Sequence, residues 1–341
     1  MMTLFKTSRR ALLGLGIAVS AAAALGFGTT PARAETTLKI GWTTSDGEKD
    51  PYAITARQFA KALEEVAPGA FEVKYYPNRQ LGDEKEMLEG LSFGTLDVGV
   101  ITNAVIANVA PSFQLNDMPF LYSSEEQAHE VLDGEVGQKL LSDLEAKKII
   151  GLGFAEGGFR HMINNVRPVT EPADVEGVKY RVMQNPIYIE MFKSLGGNAV
   201  PMAWGEVYTA VQQGTIDGLE IPVAVIESNK YPEVTQYLSL TKHTYSALGL
   251  LMSAKTWNTL SEDEQKAVRK AASMAIEAER EIAANNVKEL IGQIESEGMK
   301  VNEVEDVAAF RAKVKPVYDQ FRDQIGADVL DKTLKQVGGG S

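Results

Sequence analysis

The chain has 341 residues, room for about two domains at roughly 100–200 residues each. Its 44% hydrophobic and 23% charged content is that of a folded, water-soluble protein, not a disordered chain or a multi-span membrane protein. A net charge of −12 argues against nucleic acid or an anionic membrane surface as partner, since both reward clustered Lys and Arg, and the lack of cysteine excludes disulfides, thiolate metal sites and thiol nucleophiles.

Residues 1–34 read as a signal peptide. Lys6, Arg9 and Arg10 form a basic start, Ala11 to Phe27 an apolar run, and Ala32-Arg33-Ala34 a small-residue site predicting cleavage after Ala34. The run is short and rich in Ala and Gly for a membrane span. Ser8-Arg9-Arg10 before Ala11-Leu12-Leu13 also fits a twin-arginine address, which exports folded protein. No cysteine follows Ala34 for lipid attachment, so a freely soluble, exported protein is expected.

Leu38, Ile40 and Trp42 alternate with polar residues as in a strand, and Pro51 opens a segment in which Ala56, Phe59, Ala60 and Leu63 recur at helical spacing. Phe71, Val73 and Tyr75 alternate again, Glu84 to Leu91 reads as helix, and Leu96, Val98 and Val100 mark a third strand. This βαβαβ order predicts an α/β fold with a mostly parallel sheet, whose ligands sit beyond the carboxyl ends of the strands. A helix running into Gly94-Thr95-Leu96-Asp97 recurs as a helix running into Gly214-Thr215-Ile216-Asp217, which suggests two similar lobes. Ser261 and Glu264 form a capping box before a helix that runs to about Glu297, with Gly298 as its stop. At roughly 50 Å it is long enough to brace both lobes. The tail Gly338-Gly339-Gly340-Ser341 carries no signal.

Catalytic patterns are missing. Gly90-Leu91-Ser92-Phe93-Gly94 matches G-x-S-x-G, but a nucleophile elbow needs a strand before the serine, and here a helix precedes it. Gly151-Leu152-Gly153 lacks the third glycine of a dinucleotide loop, and no phosphate-binding P-loop occurs. His129, His161 and His243 are the candidate bases and none lies in a recognisable catalytic context; His161 and His243 stand apart from each other and from acidic pairs at ligand spacing, so solvated or hydrogen-bonded histidines are expected and no metal or cofactor is. Met87, Met183, Met191 and Met202 read as core fillers.

Arg160 follows the apolar run Ile149–Phe154, and Arg181 lies within Val178-Lys179-Tyr180-Arg181-Val182-Met183. An arginine in such a strand needs an acidic partner. Either an internal Asp or Glu satisfies it or it clamps the carboxylate of a ligand. Gln80-Leu81-Gly82-Asp83-Glu84, Asp117-Met118-Pro119-Phe120-Leu121, Gly177-Val178-Lys179-Tyr180-Arg181-Val182, and Pro201-Met202-Ala203-Trp204-Gly205-Glu206-Val207-Tyr208 with Gly214-Thr215-Ile216-Asp217-Gly218 resemble the extracytoplasmic solute-binding subunits of tripartite ATP-independent periplasmic (TRAP) transporters, of the DctP type. The resemblance spans the whole chain beyond the leader.

The resemblance implies a periplasmic-binding-protein-like α/β fold of two βα lobes with a hinge and a long bracing helix. Lobe I would comprise residues 35–157 plus 247–286, and lobe II residues 158–246 plus 287–341. It also implies a periplasmic location and delivery of a small carboxylate solute, a C4-dicarboxylate or a sugar, hydroxy or keto acid, to the small and large membrane subunits of a TRAP permease driven by an ion gradient. Arg181 matches the family arginine that pairs the ligand carboxylate, and Arg160 a second that contacts the carboxylate or another polar group. Gln184 falls at a polar site and Trp204 at the aromatic position that packs over the ligand. Glu84, Thr102, Asn103 and Thr43 fall where the first lobe chooses the substrate. Ile221 departs from the pattern, since the family has Asn between the acidic residue and Pro, and a methyl group there would meet the hydroxyl of a sugar acid. Two other classes remain at this stage: a binding module feeding a sensor or another importer, and an enzyme acting on a carboxylic acid. No long apolar surface stripe marks an oligomer interface, so a monomer is expected.

Overall fold

The structure, a computed structural model, describes residues 35–338, and the leader with its cleavage site lies outside the described residues. In chain order the first run is β1 (Thr36–Gly41), α1 (Pro51–Val66), β2 (Phe71–Tyr76), α2 (Glu84–Phe93), β3 (Val98–Thr102) and α3 (Asn103–Ile106). After α4 (Glu125–Asp133), α5 (Glu135–Asp143) and the long β4 (Ile149–Asn164), a second run follows: β5 (Lys179–Val182), α6 (Pro186–Ser194), β6 (Asn198–Pro201), α7 (Trp204–Gln212), β7 (Gly218–Pro222) and α8 (Val223–Ser228). The long β8 (Tyr237–Ser253), α9 (Ala254–Trp257), α10 (Glu262–Ser296), β9 (Lys300–Glu303), α11 (Val307–Ile325) and α12 (Ala327–Gln336) complete the chain.

Local chemistry sets these boundaries. The Asp50 carboxylate accepts the N–H groups of Tyr52 and Ala53 and so caps α1, with Pro51 in the first turn. Gly94 and Gly214 take φ of 74° and 69°, the left-handed conformation that ends α2 and α7 without a Cβ clash. Behind each glycine sits an equivalent aspartate. Asp97 Oδ2 accepts the Lys39 N–H of β1, and Asp217 Oδ2 accepts the Lys179 N–H of β5. This bond holds Leu96 and Asp97 in the turn, so β3 starts at Val98, later than the alternation predicts. The four-residue repeat in the sequence is thus a structural repeat.

All strands join one nine-stranded sheet in the order β2-β1-β3-β8-β4-β7-β5-β6, with β9 beside β8. The outer triplets are parallel, as expected. The middle departs from the expectation: β8 runs antiparallel to β3 and β4, and β4 antiparallel to β7. The cause is that β4 and β8, 16 and 17 residues long, cross from one triplet to the other and are paired along their length. A register shift interrupts that pairing between Glu156 and Gly158, opposite Ser246 and Ala247. A side chain at Gly157 would meet the Ser246 carbonyl oxygen at 2.5 Å, so the bulge requires glycine.

Two hydrophobic cores lie on the two faces of the sheet. Neighbours in one strand, such as Met162 and Ile163 or Leu250 and Leu251, fall into opposite cores, as pleating requires. Each core draws on both triplets: Leu88 of α2 shares one with Phe192 of α6, and Phe59 of α1 shares the other with Val211 of α7. The helix α10 runs 35 residues from the Ser261–Glu264 capping box and packs against α1, β4 and α8, spanning both triplets as its length implied. On the opposite face α11 packs on α6 and on the turn Pro111–Asp117. Among the described residues no helix is long and apolar enough to cross a membrane.

Candidate functional site: a buried guanidinium beside a cleft

The carboxyl ends of β1, β3, β5 and β7 converge near the middle of the sheet, where the α/β repeat directs them. Aligned in sequence on Gly94 and Gly214, Glu84 and Trp204 fall at the same position, the first residue of each repeat's helix. An inner chamber of about 20 Å³ lies between these ends, lined by Thr43, Glu84, Arg160, Arg181, Trp204 and Ile221 together with Tyr52, Met183 and Ser246. It adjoins an outer cleft of about 780 Å³ that shares Glu84, Arg181 and Met183 and adds Gln184, Met202 and one face of α2. The cleft volume is that of a small-molecule site.

Arg181 is the decisive group. It is 2% exposed, and its Nε and Nη2 both donate to the Met202 carbonyl oxygen, at 3.0 and 2.8 Å. Its Nη1 faces the Met183 sulfur at 3.3 Å, and the guanidinium lies 5.9 Å from the Trp204 ring centroid. Among the described residues no carboxylate pairs with it. Burial pulls its pKa down, a measure of how poorly the charge is compensated.

Arg160 differs. Its Nε and Nη2 donate two hydrogen bonds to the Glu220 carboxylate, at 2.5 and 2.9 Å, and Nη2 also donates to the Glu220 carbonyl oxygen. Of the two partners open to it on sequence, the structure shows the internal acid. Nη1, 3.4 Å from Ser246 Oγ, is the edge that remains toward the chamber. Behind Glu220 lies His243, its Nε2 at 3.3 Å from Oε2 and its Nδ1 at 2.7 Å from Thr241 Oγ1. Burial holds His243 below its ordinary pKa, against the pull of Glu220. Burial opposes the Arg160 charge too, but the adjoining carboxylate outweighs it and raises the pKa. The Glu220 carboxyl is costly to bury, yet the Arg160 charge holds its pKa low.

Glu84 is buried, and its Oε1 accepts the Thr102 N–H at 2.7 Å. Burial pushes its carboxyl up to about 7, against the pull of that N–H and of Arg181 and Arg160. Thr102, expected to present its side chain to a ligand, lines neither chamber nor cleft: its N–H donates to Glu84 and its side chain bonds Tyr52. Asn103 lines neither chamber nor cleft: its amide donates to Phe113 O and Asp117 Oδ1 and accepts from Asn116. Its amide is used up by that network, a correction to the expectation that it faces a ligand. Gln184 is exposed and lies on the outer cleft only. Sequence reasoning missed Tyr52, Met183 and Ser246; Tyr52 sits one residue into α1, where the helical pattern gives no cue to a site. Glu220 was visible only as the acidic residue before Ile221.

The three histidines are hydrogen-bonded internally. Burial lowers His161 to about 3 and its Nδ1 accepts the Lys242 N–H, while His129 Nε2 lies 2.6 Å from Glu156. Among the described residues no group of three or more His, Cys, Asp or Glu is placed to hold a metal ion.

Residues 43–324 match the family model described as bacterial extracellular solute-binding protein, family 7 (DctP). The chain belongs to this family. A TRAP periplasmic solute-binding protein of Polaromonas sp. JS666, solved bound to D-erythronate, is 37% identical, with a TM-score of 0.85 over 88% of this chain and 98% of that one. The sugar-acid-binding protein of Advenella mimigardefordensis, solved with galactonate, is 32% identical, with a TM-score of 0.86 over 90% and 99%. The 2,3-diketo-L-gulonate-binding periplasmic protein of Escherichia coli is 34% identical over 92% of both chains. The family 7 proteins are solute-binding proteins of transport systems, not enzymes.

Proposed function

We propose that this family 7 protein, exported and cleaved after Ala34, captures a small carboxylate in the periplasm and delivers it to the two membrane subunits of a TRAP permease. The observation that carries the reading is Arg181: a buried guanidinium facing a ligand-sized cleft and, among the described residues, paired with no carboxylate. Leaving it unpaired costs stability, and a ligand carboxylate compensates that cost with two charge-assisted hydrogen bonds. Arg160, held in place by Glu220, offers its Nη1 edge as a second donor. Trp204 covers the ligand, Thr43 and Glu84 meet its far end, and Gln184 guards the outer cleft. Ile221 puts a methyl group where a polar contact is expected, which favours an acid with an apolar segment there.

An inner chamber of about 20 Å³ holds little more than a water molecule, so a ligand must enter by opening. The two lobes, residues 35–157 plus 247–286 and 158–246 plus 287–341, would part about the bulge at Gly157 in β4 and the facing Ser246–Ala247 in β8, with α10 as the flexing brace. Polar links between the triplets would then mark the closed form: Asp50 accepts from Ser228 and Asn229, and Asn185 donates to Asp117 and to the Ala104 carbonyl oxygen.

The test is a thermal-shift panel of aldonates, uronates, keto acids, C4-dicarboxylates and neutral sugars. A ligand at about 100 times its dissociation constant adds about 2.7 kcal/mol, a shift of a few degrees for a chain of this size. The expected result is a shift confined to acids and absent from Arg181→Ala. Stabilisation by neutral sugars alone would overturn the reading.

A further inference from the structure

We propose that the chamber is charge-balanced for a single carboxylate, Arg181 supplying the one free positive charge and Glu84 taking up a proton as the ligand binds. This rests on the carboxylate-capture reading above and names the acid class that reading leaves open.

The charges on the chamber wall can be counted. Arg160 is matched by Glu220 through a double hydrogen bond. Arg181 is matched by nothing among the described residues and supplies one net positive charge. Glu84, on the same wall, either cancels that charge as a carboxylate or leaves it free as a carboxylic acid. The groups facing Glu84 are Arg181 from β5, Arg160 from β4, Asp83 from the turn before α2, the Tyr52 hydroxyl from α1 and the Thr102 N–H from β3. No lysine or histidine is among them.

A monocarboxylate entering beside ionised Glu84 leaves one buried negative charge without a partner, which is expensive at low dielectric. Protonating Glu84 from solvent removes the excess. The neutral acid keeps Oε1 as acceptor for Thr102 N–H and makes Oε2 a hydroxyl donor, suited to an alcohol or keto oxygen of the ligand. A dicarboxylate gains no such relief: with Glu84 already neutral, its second carboxylate remains unmatched. Burial already places the Glu84 carboxyl at about 7, so the proton is taken up at little cost near neutrality, and a neighbouring anion raises the carboxyl further. The ligands of the Polaromonas, Advenella and Escherichia relatives, erythronate, galactonate and diketogulonate, each carry one carboxylate.

The experiment is isothermal titration calorimetry of the purified protein with D-erythronate, D-galactonate and succinate from about pH 6 to about pH 8.5, in paired buffers of low and high ionisation enthalpy. The expected result is uptake of close to one proton per monocarboxylate bound above neutrality, affinity falling by up to about tenfold per pH unit there, and weaker binding of succinate. Glu84→Gln, a permanently neutral mimic of the protonated acid, should abolish the uptake and flatten the pH dependence while leaving the succinate deficit in place. The proton count on the unaltered protein needs no variant. Tight binding of an acid with no proton exchange and no penalty for succinate overturns the charge balance and leaves carboxylate capture standing. Failure of every acid to bind at any pH overturns capture, and the charge balance with it.

Discussion

Arg160 and Glu220 lie on the adjacent antiparallel strands β4 and β7 and close a double hydrogen bond, 2.5 Å from Nε to Oε2 and 2.9 Å from Nη2 to Oε1, with both side chains almost fully buried. Arg181, one strand further along the sheet in β5, is as deeply buried and has no such partner among the described residues. Two arginines that look alike in sequence therefore have opposite energetics. The first is an internal ion pair with one spare edge, and the second is a buried charge left unmatched among the described residues.

Removing one partner of the Arg160–Glu220 pair strands the other charge in the interior. Glu220→Gln is expected to destabilise the protein by about 3–5 kcal/mol in chemical denaturation, whereas the double change Arg160→Met with Glu220→Leu should recover most of that loss. A double variant as unstable as the single one would show that the pair itself, not the uncompensated charge, supplies the stability.

Arg181 should behave the other way. Arg181→Met removes an unmatched buried charge and replaces it with a side chain of similar length, so the unliganded protein should be as stable as the parent or up to about 2 kcal/mol more so. Stabilisation by an acid ligand should vanish in the same variant. A large loss of stability without ligand would mean that the two bonds to the Met202 carbonyl oxygen hold the fold, and Arg181 would then be a structural residue.

That contrast also marks what the sequence could convey. The α/β class, the repeat and the length of α10 were legible because each has a local signature: alternation, Gly-Thr-x-Asp, and a capping box with a glycine stop. The antiparallel centre was not. A long strand such as β4 reads as an apolar run, and its partner β8 begins 73 residues after β4 ends, beyond any local pattern. In the site, residues on strand ends and first helical turns, Thr43, Glu84, Arg160, Arg181, Trp204 and Ile221, do meet at one chamber. Asn103 does not, because whether an amide at a strand end faces a cleft or the interior depends on Asp117 and Asn116, which local spacing does not place beside it.

Ile221 lies in β7 opposite His161 and is 2% exposed on the chamber wall. Ile221→Asn should cost about 1–3 kcal/mol in the absence of ligand, since its amide is buried without an assured partner. With ligand present, affinity should shift toward acids bearing a hydroxyl near the carboxylate, read as a changed rank order across the acid panel. An unchanged rank order would remove position 221 from the site.

Glu279 offers a test at the bulge. It is fully buried in the middle of α10, its Oε2 accepts the Glu156 N–H at 2.8 Å, and its Oε1 has no partner among the described residues. Burial, with the Glu156 carboxylate adding to it, raises the Glu279 pKa well above the ordinary value of 4.5. The folded protein therefore holds a proton there that the unfolded chain releases above about pH 4.5, and stability falls by about 1.4 kcal/mol per pH unit from that point until the folded group also ionises. Below about pH 4.5 both states are protonated and Glu279 contributes no slope. Glu279→Gln mimics the protonated acid, so it should flatten this part of the stability profile between about pH 5 and pH 8 and exceed the parent by more than about 1 kcal/mol at neutral pH. Urea denaturation across that range measures both quantities. Parallel profiles for the two proteins would mean that Glu279 is ionised in the folded state and that a partner outside the protein side chains compensates its charge.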